Sequence, residues 1–213
     1  MKVHDCEQYS DEWWNLRLGL PTSSQFNRII TPKKGDYSAA AKPYISELVA
    51  ERFLRSSGGT DYQSAAMVRG GEVEPQARTY YELLRGVTAR QVGICIEDGE
   101  RYGASPDSLV GEDGVLEIKC PEAKRHVEYL VAGGLPDEYR AQVAGHLLVT
   151  GRAWCDFMSY HPDLPPLVVR IKPNAFVGKL EQALARFCGE LDETFNRIKA
   201  LAHADGLIPE AVA

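Results

Sequence analysis

Ser105-Pro106-Asp107 is followed, after a short interval, by Leu116-Glu117-Ile118-Lys119-Cys120-Pro121. Two strands joined by a turn place Asp107 at the end of one. Glu117 and Lys119 then share a face of the next, because strand side chains repeat every two residues. Three charged groups converge. A chance Asp…Glu-x-Lys match is most often a solvated hairpin, but here the neighbours are Gly103, Ala104, Val115, Leu116 and Ile118, and Pro121 ends the run. Such surroundings fit a buried sheet, where a polar face needs a purpose.

Two carboxylates on adjacent strands are hard-oxygen ligands suited to Mg²⁺, which keeps several waters and takes few protein groups. The Ile118 carbonyl between them is a further donor. Phosphodiester hydrolysis uses such a cation to neutralise phosphate charge and to activate and orient water. A lysine beside it, Lys119, positions or helps deprotonate the water and offsets charge on the pentavalent anion.

Around this centre the chain alternates short apolar segments with amphipathic ones. Asp11 to Leu20 reads as a short helix capped by Ser10 or Asp11, with Trp13, Leu16 and Leu20 on one face and a stop at Gly19. Ser23 or Ser24 starts a second helix to Ile30, and Thr31 to Ser38 is a loop. Helices are expected over Ala39 to Leu54 and Ala66 to Leu84, with a polar loop from Ser56 to Gly59 between them. In the second of these, Val73, Ala77, Tyr80, Tyr81 and Leu84 lie near one face, and Pro75 suits a first turn or a kink. Thr88 to Ile96, Tyr102 to Ala104, Gly114 to Lys119, Ala153 to Tyr160 and Leu167 to Ile171 read as strands. Tyr139 to Thr150 and Gly178 to Ala202 read as helices. The expected class is α/β (α+β): a mixed central sheet flanked by helices, residues 1–213 forming a single domain.

With 44% hydrophobic and 25% charged residues, the chain can bury a sizeable core. A net charge of −6 argues against a protein that coats nucleic acid nonspecifically, yet leaves room for a local basic path. No run approaches the length of a membrane span, and the N-terminal residues lack a secretory pattern, so a cytoplasmic location is expected. Five scattered cysteines without a CxxC pair suggest buried free thiols rather than a disulfide framework, zinc or iron–sulfur site.

Five ordered motifs resemble the lambda-exonuclease and YqaJ-type viral recombinase family of phage-type alkaline exonucleases, within the PD-(D/E)XK nuclease superfamily. They are LRLG with a following TSS at Leu16 to Ser24, RGGEVEPQAR at Arg69 to Arg78, ASPD at Ala104 to Asp107, LEIKCP at Leu116 to Pro121 and YRAQVAGHLLVTG at Tyr139 to Gly151. The resemblance implies a restriction-endonuclease-like core. It also implies a 5′-to-3′ exonuclease that degrades one strand of linear duplex DNA and leaves a 3′ overhang for a single-strand annealing protein. A homotrimeric ring and Mg²⁺, two ions or Mn²⁺ in its place, come with it. By the same resemblance Asp107, Glu117, the Ile118 carbonyl and Glu74 hold metal. Lys119 assists the water, Gln142 orients the site, and Arg17, Ser24 and Ser105 hold a 5′-phosphate.

Plainer readings stand beside these. Glu74 also suits a solvated first helical turn, Gln142 a core-edge amide bonded to backbone, and Ser24 and Ser105 a cap or a turn. The five histidines lack metal-ligand spacing and read as surface or packing residues. Trp13 and Trp14 read as core, while the resemblance implies a protein-contact surface near them for the annealing partner. Arg85 and Arg90 read as surface charge, and Lys33, Lys34, Lys124 and Arg125 as loop cations able to meet DNA phosphates. The alternatives to an exonuclease are a PD-(D/E)XK endonuclease and a non-catalytic DNA-end-binding scaffold.

Overall fold

A computed structural model describes residues 1–56 and 65–204; the rest of the loop expected through Gly59 and the tail from Leu207 lie outside the described residues. Its centre is β6 (Gly114–Lys119), flanked by antiparallel β5 (Ser108–Val110) and parallel β7 (Trp154–Ser159). β2 (Ala89–Arg90) and β8 (Leu167–Ile171) complete the order β2-β5-β6-β7-β8. β1 (Lys2–His4), β3 (Ile94–Ile96) and β4 (Gly103–Ala104) form a second, antiparallel sheet. The mixed sheet with flanking helices is the expected α/β architecture.

A parallel pair needs a crossover. Between β6 and β7 it is made by α4 (Ala123–Ala132), a 3-10 turn at Asp137–Tyr139 and α5 (Arg140–Thr150). α5 buries two stripes. Val143 and Leu147 join Val115 and Phe157 of the sheet, while Ala141 and Ala144 face a second cluster. That cluster holds Phe26, residues of α2 (Ala41–Leu54) such as Leu48, and residues of α6 (Ala175–Ala204) such as Leu184. On the other face of β6, Leu116 and Ile118 pack on Ala77 and Tyr81 of α3 (Ala65–Arg85). The period-two alternation therefore sends Val115 and Glu117 toward α5 and their neighbours toward α3.

Several expectations change. The segment after Pro21 is a 3-10 helix, Ser23–Arg28, and neither Ser23 nor Ser24 caps it: the N-cap is Thr22, with no side-chain bond. The run from Thr88 to Ile96 breaks into β2 and β3 in different sheets; between them Gly93 N–H donates to the His4 carbonyl at 3.0 Å. Pro75 lies inside α3, with no N–H to offer the carbonyl one turn back. Tyr80 and Leu84, expected near one face with the buried Ala77 and Tyr81, are exposed by 40% and 51%. α4 and β1 are not among the expected elements, and β5 is the strand expected to join β6 through a turn, with Asp107 just before its start. Lys124 and Arg125 thus stand on a helix rather than a loop. α6 begins at Ala175, earlier than expected, where the Asn174 side chain accepts from Phe176 N–H at 2.9 Å.

α1 (Asp11–Arg17) is capped by Ser10, whose hydroxyl accepts from Trp13 N–H at 3.3 Å. Trp13 is buried with Ile94 and Ile96, and Leu16 and Leu20 pack on them. All five cysteines are free; Cys95, Cys155 and Cys188 are buried, whereas Cys6 and Cys120 are half-buried. No described helix is long and apolar enough to cross a membrane.

Candidate active site

Glu117 is 1% exposed, and its two oxygens accept three bonds. Lys119 Nζ meets Oε1 at 2.5 Å, Gln142 Nε2 meets the same oxygen at 2.6 Å, and His146 Nε2 meets Oε2 at 2.6 Å. Gln142 and His146 are one helical turn apart on α5, so they present donors to the same strand residue. Burial pushes the carboxyl up, but Lys119 and His146 overcome it and leave Glu117 at about 2. Burial lowers the pKa of Lys119, but Glu117 and Asp107 more than offset this and raise it. The Lys119 ammonium also lies 5.4 Å from the Tyr139 ring centre.

Asp107 immediately precedes β5 and reaches across to β6, where its Oδ2 accepts from Ile118 N–H at 2.5 Å. Burial, followed by the nearby Glu117 and Glu74 carboxylates, holds it well above the usual carboxylate range. Glu74 sits mid-helix in α3, which removes the first-turn reading. It pairs with Arg78, whose Nε donates to Ser108 Oγ at 3.0 Å. Burial raises its pKa, opposed by Arg78 and reinforced by Glu117. The structure brings Asp107, Glu117, Lys119, Gln142 and Glu74 to one place. An open cleft of about 420 Å³, lined by Glu74, Ile118, Lys119 and Tyr139, gives access to it.

Arg17, Ser24 and Ser105 also come together. Arg17 donates to Ser105 Oγ at 3.0 Å, Thr22 Oγ1 at 2.9 Å and Ser24 Oγ at 3.3 Å, and its guanidinium lies 4.1 Å from the Trp13 ring centre. Burial lowers its pKa to about 10, which leaves it cationic at neutral pH. Trp13 Nε1 donates to the same Ser105 hydroxyl at 3.0 Å, so Trp13 belongs to this cluster as well as to the core. Ser105 is two residues from Asp107, and one loop therefore serves both groups.

Hard oxygen donors are present at Asp107, Glu117, Glu74 and the Ile118 carbonyl. Asp107 and Glu74 are both held up partly by neighbouring negative charge, the imbalance that a divalent cation would relieve. The donor set fits Mg²⁺ or Mn²⁺ by chemistry, although among the described residues no three His, Cys, Asp or Glu side chains form a ready-made cage.

His146 and Arg78 escaped the reading of the sequence. His146 lacks zinc spacing and so reads from the sequence as a surface or packing residue; its signal is its position four residues after Gln142. Arg78 lies four after Glu74, inside the same motif. Gly145 holds α5 against the 3-10 helix, since a Cβ there would sit 2.6 Å from a Phe26 ring carbon and 2.9 Å from Ser23 Cβ. The approach lets Ser23 Oγ reach His146 Nδ1 at 3.4 Å. Four of the other candidate cations have acidic partners. Arg125 meets Glu138 at 2.8 Å, Arg90 meets Asp5 at 2.7 Å, and Lys33 is 3.8 Å from Asp137. Arg85 is 3.8 Å from the buried Asp156 and so does more than carry surface charge.

A buried Glu117 with half-buried Asp107 and Lys119 beside it, on adjacent strands of a mixed sheet, is consistent with a PD-(D/E)XK-like core. The chain belongs to the YqaJ-like viral recombinase domain family, which matches residues 12–153, and so to the lambda-exonuclease group. Its role is that of a nuclease acting on DNA. No curated protein matches the sequence significantly. Among solved structures, the alkaline exonuclease LHK-Exo from Laribacter hongkongensis is similar at 35% identity and a TM-score of 0.81, over 92% of this chain and 99% of that one. LHK-Exo in complex with dAMP matches at 33% identity and a TM-score of 0.82, over the same 92% and 99%. A phage-related exonuclease from Haemophilus somnus 129PT shares the fold at 15% identity and a TM-score of 0.61, over 84% of this chain and 96% of that one.

Proposed function

We propose that this chain is a divalent-metal-dependent exonuclease that degrades the 5′-ended strand of linear duplex DNA and leaves a 3′ overhang for a single-strand annealing protein. The observation that carries the reading is the loop from Ser105 to Asp107, which joins the Arg17 hydroxyl cluster to the buried carboxylates. Arg17, Ser24 and Ser105 hold the terminal 5′-phosphate through a guanidinium and two hydroxyls. A grip on that phosphate fixes the distance along the strand at which the chain is cut.

Asp107, Glu117 and the Ile118 carbonyl hold Mg²⁺, with Mn²⁺ as a substitute and Glu74 available to a second ion. When bound, the metal supplies charge neutralisation and an activated water. Lys119, paired with Glu117 beside the metal-binding groups, positions the water and offsets charge on the developing anion. Gln142 and His146 fix the rotamer of Glu117, and Tyr139 flanks Lys119. A homotrimeric ring belongs to the same reading, because a closed ring threaded by DNA retains its substrate between cuts.

The test is digestion of linear duplex DNA carrying either a 5′-phosphate or a 5′-hydroxyl, labelled at one end, with Mg²⁺ or EDTA and a closed circular control. Metal-dependent mononucleotide release from 5′-phosphorylated ends alone is expected. Cutting of the circle would establish an endonuclease instead, and end binding without cutting a scaffold. Light scattering checks the trimer.

A further inference from the structure

Tyr9 lies outside every motif above, yet its position links the two halves of the site. Its backbone is held in the left-handed region, φ 69°, which a bulky residue adopts only when its surroundings enforce it. Those surroundings are explicit. Ser10 N–H and Oγ donate to the Glu7 carbonyl at 3.2 and 2.6 Å, closing a turn directly ahead of α1. Gln8 Nε2 donates to the carbonyls of Val92 and Pro106, both at 3.0 Å, which ties the turn to the residue next to Asp107.

The ring is not spent on the core. Tyr9 remains 55% exposed, while its centre is 5.1 Å from that of Trp13, the ring on which Arg17 rests. It lines the same cleft as Glu74, Lys119 and Tyr139. Burial raises the pKa of its phenol, Asp107 and Glu74 raise it further, and Lys119 and Arg17 lower it. The side chain is thus within electrostatic reach of the metal-binding carboxylates and of the phosphate-binding guanidinium together.

An enzyme that grips a terminal phosphate and cuts the next phosphodiester must hold one nucleotide between the two. We propose that Tyr9 is the platform on which the base of that 5′-terminal nucleotide stacks, a positioning role that rests on the exonuclease reading above. Stacking on an aromatic face is tolerant of sequence, because every base presents a π surface, and so suits degradation of arbitrary DNA. The rigid turn lowers the cost of ordering the ring on binding.

The test crosses a protein change with a DNA change. KM is measured for wild type, Tyr9→Ala and Tyr9→Phe on 5′-phosphorylated duplexes whose terminal nucleotide is intact or abasic. Tyr9→Ala should raise KM about tenfold on intact ends, the order of one base stack. Loss of the base should cost the wild type a similar factor, while Tyr9→Ala on abasic ends should be no worse than wild type on them. Tyr9→Phe should keep the wild-type pattern. Independent, multiplying losses, or a Tyr9→Phe loss equal to that of Tyr9→Ala, would overturn the stacking role. A wild-type enzyme that releases nothing from intact ends would instead overturn the exonuclease reading, and this role with it.

Discussion

Gly145 and Gly189 make opposite predictions for the same substitution. Gly189 lies in α6, with nothing within 4 Å of a built Cβ. Alanine there gains helix propensity alone, about 0.5–1 kcal/mol. At Gly145 the same methyl would stand 2.6 and 2.7 Å from two Phe26 ring carbons, against an optimum carbon–carbon separation of roughly 3.5–4 Å. Phe26 is 0% exposed and has no solvent into which to retreat. Overpacking costs about 1–3 kcal/mol, so after the propensity gain Gly145→Ala should lose about 1–2 kcal/mol. For a chain of this size each kcal/mol moves Tm by roughly 2–4 °C. Thermal melts followed by circular dichroism should therefore place Gly145→Ala about 2–8 °C below wild type and Gly189→Ala about 1–4 °C above it. The first change also shifts the helix that carries Gln142 and His146, so its kcat should fall while that of Gly189→Ala holds. Equal stabilisation by both alanines would refute the close contact between α5 and the 3-10 helix.

Lys119→Ala should abolish cleavage and leave end binding largely intact, because the ammonium acts mainly on the transition state; unchanged turnover would remove it from the mechanism. Arg17→Ala should erase the preference for 5′-phosphorylated over 5′-hydroxyl ends, measured as the ratio of kcat/KM values, and an equal loss on both ends would contradict the assignment. Asp156 is 0% exposed and accepts from Arg170 at 2.7 and 2.8 Å and from the Tyr81 hydroxyl at 2.8 Å. Arg170 is 43% exposed and can turn to solvent, so Asp156→Ala chiefly leaves the Tyr81 hydroxyl without its acceptor; a loss of about 1–3 kcal/mol should lower the urea midpoint. In EDTA, Glu117 with its pKa depressed from 4.5 to about 2 contributes stability that is present above about pH 4.5 and lost as pH falls toward 2. That shift corresponds to at most about 3 kcal/mol, trimmed because Glu117→Gln also relieves Asp107. The deficit of Glu117→Gln in urea unfolding should fade across that window, and a deficit independent of pH would count against the depressed carboxyl.

What the sequence reveals and conceals here follows from the range of the forces involved. β6 was legible to its last residue because period-two alternation, a glycine start and a proline after it are local signals. β1 was not, since three polar-flanked residues become a strand only by pairing with β3, some ninety positions on. α4 was hidden differently: its Glu122 cap makes no side-chain bond, and its buried residues His126 and Tyr129 are polar types. The candidate site divides the same way. Asp107, Glu117 and Lys119 share a hairpin, so spacing alone could group them, but only a family resemblance brought Glu74, Gln142 and Arg17 to that group. His146 shows why chemistry read one residue at a time falls short. With no metal-ligand spacing it looked inert, and its part emerges once β6 sends Glu117 toward α5, where a buried carboxylate demands every donor within reach. The strand that is easiest to read thus creates the electrostatic need that the hardest residues to read were placed to meet.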